Sequence, residues 1–211
     1  MIRRKKNTEK GFALPLALLL LVVMSLMGSI LISKTTTEHI ANTTKDLSQQ
    51  SFYAAESGIT AAKNWMISET GQDLLKNSSP SNVDRDLRFC KTSMFPNIIS
   101  GSKGFKIERK SLNQVIDNLS ADELKRLQKF SYEYFITYTP AANGSTDTAK
   151  TKTASNSEGT DISEGTSYKQ TGTKTATYYT IYSCGCNNSA NNCNINSDSI
   201  TRLEQDVTLT R

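Results

Sequence analysis

The chain has 211 residues and 23.3 kDa, with 25 basic and 20 acidic side chains, a net charge of +5, and only 36% hydrophobic residues. A mean hydropathy of −0.45 excludes a polytopic membrane protein and leaves one modest folded domain with appendages. The first ten residues carry Arg3, Arg4, Lys5, Lys6 and Lys10 against Glu9, leaving 20 basic and 19 acidic side chains beyond them, so no basic face for nucleic acid is expected.

Residues 12 to 32, FALPLALLLLVVMSLMGSILI, are 21 positions without a charge. As a helix they reach about 30 Å, the thickness of a hydrocarbon core. A secretory signal has a shorter apolar region and a small-residue cleavage site, which Ser33-Lys34-Thr35-Thr36-Thr37 does not supply. The cations before the span predict a cytoplasmic N-terminus and an extracytoplasmic body.

Beyond the span, Ile40, Leu47, Ala54, Gly58, Ala62 and Trp65 recur at helical steps, with Ala55, Ile59 and Met66 beside them. The pattern predicts one helix from about 13 to about 69, capped at its C-terminus by Gly71. Residues 12–33 form the membrane part and 34–70 an amphipathic continuation. Ala54, Ala55, Gly58, Ala61 and Ala62 make a thin seam against which a sheet can pack closely. A lipid anchor followed by a separate exposed helix is the alternative.

Residues 71–211 read as an α+β domain. Ser120-Ala121-Asp122-Glu123 is a capping box that opens a short helix through Leu124, Leu127 and Phe130. Tyr132, Tyr134, Ile136 and Tyr138 alternate with Ser131, Glu133, Thr137 and Thr139, the pattern of a half-buried strand. Further strands are expected at about 175–183 and at 200–210, with Phe105 and Ile107 as a fourth at the edge. Tight connections make the set an antiparallel meander. Residues 141–174 hold almost only Thr, Ser, Gly, Asn, Ala and charge; they predict a mobile loop in preference to an extended hairpin.

Cys90, Cys184, Cys186 and Cys193 all follow the span, an even number suited to an oxidising compartment. Cys184 and Cys186 stand two apart on a strand and point to one face, so a bond between them would be strained. One is expected to bond Cys193 and the other Cys90. A four-thiolate zinc site would want C-x2-C knuckles, which are absent. The sequence has no P-loop, G-x-S-x-G, H-E-x-x-H or dinucleotide fingerprint, so a non-enzymatic protein without a cofactor is expected. His39 reads as a solvated position on the helix. Asp84 and Asp86, and Asp198 with Asp206, lack the spacing of a calcium loop and read as surface charges.

A basic leader, Gly11-Phe12 and an immediate uncharged helix together resemble a type IV prepilin. The run from Gly11 to Gly28, the A-A-E-S-G of Ala54 to Gly58, Tyr178-Tyr179 and the closing L-E-Q-D-V-T-L-T are similar to PilX-like minor pilins. The resemblance implies a pilin-like fold and cleavage between Gly11 and Phe12 by a prepilin peptidase that methylates the new terminus. It also implies residence in the inner membrane and then the pilus, with major and minor pilins and a tip adhesin as partners. Pro15 and Leu16 fall in the assembly segment. Leu16 occupies the fifth mature position, where shaft pilins carry a glutamate that meets a neighbour's terminal amine; its absence implies a place at the tip or a tolerated minor subunit. A minor pseudopilin of a type II secretion system, and an uncleaved signal-anchored periplasmic binding or adhesion protein, are the competing readings.

Overall fold

A computed structural model describes residues 13–116, 118–154, 174–196 and 198–210. The chain divides into two units, residues 1–46 and 47–211. Helix α1, Ala13–Ile67, runs through 55 residues. Within the first unit its large apolar side chains are exposed, and the stretch is long and apolar enough to cross a membrane. Where this stretch gives way to polar sequence, Thr35, Thr36 and Thr37 return their hydroxyls to the carbonyls of Leu31, Ile32 and Ser33. Each hydroxyl is thereby satisfied by the helix itself. His39 is exposed, with Thr43 Oγ1 3.4 Å from its Nδ1.

In the second unit α1 ends earlier than the stripe of small residues predicts. Ser68 takes an extended conformation and its Oγ accepts from the Gly71 N–H, which starts a new helix, α2, Glu69–Asn77. Gly71 is therefore inside the first turn of α2 and is not the C-cap of α1. A serine followed by an acidic residue is a better helix start than a helix interior, and here that preference wins.

Five strands make the main sheet. Strands β3 (Ile107–Ser111), β4 (Ser131–Tyr138), β6 (Lys174–Cys186) and β7 (Ile200–Thr210) lie in that order, each antiparallel to the next. This is the expected meander, with two differences. The edge strand starts at Ile107; Phe105 precedes it and donates its N–H to the Ile136 carbonyl. The second difference is β5 (Lys150–Ala154), which prolongs the row of β4: Tyr138 faces Tyr179, and Lys150 faces the next residue of β6, Tyr178.

The expected loop at 141–174 is thus ordered as far as 154, while residues 155–173 lie outside the described residues. Between β4 and β5 the chain leaves the sheet and is fixed by its own contacts. Gly144 takes φ +79°, the Ala141 N–H donates to the Ser145 carbonyl, and buried Thr146 donates its hydroxyl to the Lys103 carbonyl. Thr-rich sequence looks mobile by composition, but β6 offers five more residues of unpaired backbone that β5 satisfies. A short pairing of β1 (Ser81–Asn82) with β2 (Lys103–Gly104) closes the segment between α2 and the sheet.

Both faces of the sheet are covered. Tyr132, Tyr134, Ile136, Tyr179 and Ile181 pack on Ala54, Ile59, Ala62 and Met66 of α1. On the opposite face, Phe135, Tyr182, Cys184 and Cys186 pack on Val83, Leu87, Phe89, Phe95 and Ile98. Residues 131–137 are consequently all buried, where alternation predicts a half-buried strand. The side chains that read as solvent-facing lie under the 83–98 segment. Each large apolar side chain so buried contributes about 1.5–3 kcal/mol.

The small-residue seam does what its composition predicts. A Cβ at Gly58 would come within 2.2 Å of Ser183 Oγ, and one at Gly185 within 1.9 Å of the Ser51 carbonyl oxygen. At this separation the Ser183 hydroxyl reaches across to donate to the Ala55 carbonyl at 2.7 Å.

Candidate functional site

Gly11 and Phe12 lie outside the described residues. Pro15 and Leu16 sit in the first turns of α1 with exposed side chains, and that first turn carries no acidic residue. Pro15 costs little there, because the first N–H groups of a helix have no intrahelical acceptor. From Leu14 to Ile32 the large apolar side chains are exposed all round the helix. A helix that is apolar on every side needs an apolar surrounding, either lipid or other helices of its kind.

The four cysteines form two disulfides, Cys90–Cys184 and Cys186–Cys193, with Cα separations of 5.4 and 6.4 Å. The first ties the 83–98 segment to β6; the second ties the Asn-rich turn between β6 and β7 to the end of β6. Asp198 comes close to the second pair, but sulfurs committed to a disulfide are not thiolates and do not ligate metal. Asp198 instead accepts from the Asn194 N–H at 2.6 Å and stabilises the turn.

Two carboxylates, one fully buried and one half-buried, complete the attachment of the 83–98 segment. Glu133 has no exposed surface, and its oxygens accept from the backbone N–H groups of Arg88, Phe89 and Cys90 at 2.8–3.1 Å. Arg109, directly opposite on β3, donates to the same carboxylate at 3.1 Å. Asp84 accepts from the Thr92 N–H, the Thr92 hydroxyl and the Gly101 N–H. Burial pushes the Asp84 carboxyl up, yet these hydrogen bonds and the Lys91 charge outweigh it and hold the group below its usual range. Asp84 is therefore the anchor of its loop, whereas Asp86 is an exposed charge as expected. Alternation along β4 hid Glu133; its one trace in the sequence is Arg109, visible as a partner only once the β3–β4 register is known.

On the helix-covered face the charges are arranged differently. Tyr134 donates its hydroxyl to Glu108 at 2.8 Å, and Lys110 pairs with the same carboxylate. Burial raises the Glu108 carboxyl, but the hydrogen bonds from Lys110 and Tyr134 and the nearby lysine charges bring it below its usual value. Burial, with the Glu108 charge, raises the Tyr132 phenol to about 12.

What these parts define is an α+β domain with two disulfides and an N-terminal helix of membrane-crossing length and composition. No family model matches the chain, and neither the curated proteins nor the solved structures contain a match to it.

Proposed function

We propose that this chain is a structural minor pilin: anchored by residues 12 to about 32 with its N-terminus in the cytoplasm, trimmed after Gly11, and assembled through that helix with other pilins to prime or cap a type IV pilus. The observation that carries the reading is the Gly11-Phe12 junction directly ahead of a 55-residue helix that is apolar all round at first and ends as a small-residue seam under an antiparallel sheet. The two disulfides suit a domain delivered outside the cytoplasm. Leu16 supports a place where no neighbour's amine needs a carboxylate, since an unpaired amine in lipid is costly.

N-terminal sequencing of the natural protein is expected to begin at methylated Phe12. In Gly11→Leu the leader should remain attached; a variant that still runs at the processed mass overturns the proposal and leaves an uncleaved anchored protein in its place. Co-purification with pilus components rather than with a secretion-system pseudopilus separates the pilin from the pseudopilin reading.

A further inference from the structure

β3 is an edge of the main sheet, and its pairing with β4 fixes which of its backbone groups look outward. The Leu112 N–H donates to the Phe130 carbonyl, one step beyond the Ser111–Ser131 pair, so Leu112, Lys110 and Glu108 turn their backbone groups toward β4. Ile107 and Arg109 therefore turn their N–H and C=O groups away from it. No described residue donates to or accepts from these four groups. An open edge of this kind is a template for one more strand.

The edge is sunk in a cleft of about 650 Å³ that includes Ile107 and Arg109 and has a wall on each side of the sheet plane. Toward α1 it meets Trp65, Leu74 and Lys106, whose ammonium stands 6.0 Å from the centre of the Trp65 ring. Toward the 83–98 segment it meets Asp86. Arg109 is committed to Glu133 at 3.1 Å, but neither Lys106 nor Asp86 has an ion-pair partner among the described residues. The cleft thus offers an open backbone edge, an unpaired cation on its helix side and an unpaired anion on its loop side.

We propose that this cleft binds an extended peptide segment of a partner protein as an added antiparallel strand on β3, with an acidic side chain turned to Lys106 and a basic one turned to Asp86. Main-chain hydrogen bonds to Ile107 and Arg109 supply affinity, and alternate side chains supply choice. Neighbouring residues of a strand point to opposite faces, so the acidic and basic residues stand an odd number apart. The walls admit a single strand, whereas a strand with neighbours of its own, such as the sheet edge of a second copy, would collide with them. Antiparallel addition continues the pairing used throughout this sheet. The proposal is independent of the assembly role.

The test is titration of the full chain in detergent with the capped peptide acetyl-TVEKVT-amide, followed by calorimetry and by the emission of Trp65, the chain's single tryptophan. Saturable binding is expected. Acetyl-TEVKVT-amide has the same composition but puts both charges on one face, and should bind at least about tenfold more weakly. Methylating the amide nitrogen of the peptide's lysine, which antiparallel addition turns toward β3, should abolish binding, whereas methylating that of its glutamate should not. Ile107→Pro removes an outward N–H and leaves the β3–β4 ladder intact; it should lose the peptide while still unfolding in one cooperative transition. In Lys106→Gln/Asp86→Asn the preference between the two peptides should vanish. Absence of saturable binding, equal affinity for the two peptides, or equal effects of the two methylations each overturns the proposal.

Discussion

The two faces of the sheet are closed by opposite means. On one, α1 lies so close that Gly58 and Gly185 leave no room for a side chain, and the contact is made of small residues and tyrosine rings. On the other, the 83–98 segment has no long regular element of its own, and a disulfide, Glu133 and Asp84 hold it over Phe135 and Tyr182. A helix satisfies its own backbone and needs only apolar complementarity; an irregular segment must be given acceptors for each buried N–H. That difference decides which substitutions each face tolerates.

The largest effect is expected at Glu133. Glu133→Ala strips the acceptor from three backbone N–H groups and leaves the Arg109 guanidinium facing a void, which should cost about 5 kcal/mol by chemical denaturation. A cost below 1 kcal/mol would mean that the segment is held by its apolar side chains alone.

Next come the disulfides, which rank by the length of chain they close. Replacing Cys90 and Cys184 by alanine opens a separation of 94 residues and should cost about 4 kcal/mol, against about 2 kcal/mol for Cys186 and Cys193, seven apart. The Cys90 N–H also donates to Glu133. Combining the Cys90–Cys184 pair with Glu133→Ala should therefore cost clearly less than the sum, a coupling the Cys186–Cys193 pair should lack.

The helix face is broken by size instead. A Cβ at Gly185 meets the Ser51 carbonyl oxygen, a backbone atom that cannot swing aside, so Gly185→Ala should cost about 3 kcal/mol and open the seam around Ala54 and Ala55. Ala190→Val, which adds two carbons to a buried side chain in the turn between β6 and β7, provides the reference for ordinary overpacking.

This contrast also explains how much was legible beforehand. The seam of α1 was readable because helix packing leaves a period, and the capping box at Ser120 and Glu123 because local hydrogen bonds leave a spacing. The cysteines were readable as two bonds because Cys184 and Cys186 share a face. Glu133 was not: in β4 it occupies a slot that alternation gives to solvent, and only the 83–98 segment, which has no period, buries it. Nor was β5, since Lys150-Thr151-Lys152-Thr153-Ala154 owes its pairing to the length of β6 rather than to its own composition.

The smallest effect distinguishes the faces by acid. Asp84 is held below its ordinary value of 3.8, so its contribution is fully present above that value and is lost as pH falls through the depressed one. Stability should accordingly decline below about pH 4, and Asp84→Asn, already weaker at neutral pH, should decline less. Glu108 titrates in the same sense but sits with Tyr134 and Lys110 on β3 and β4, away from the 83–98 backbone. Amide exchange separates the two contributions. On acidification the N–H groups of Thr92 and Gly101, which Asp84 accepts, should lose protection before those of α1 between Ala54 and Met66, where no carboxylate holds the backbone. Simultaneous loss would show instead that the helix face and the loop face open as one cooperative unit.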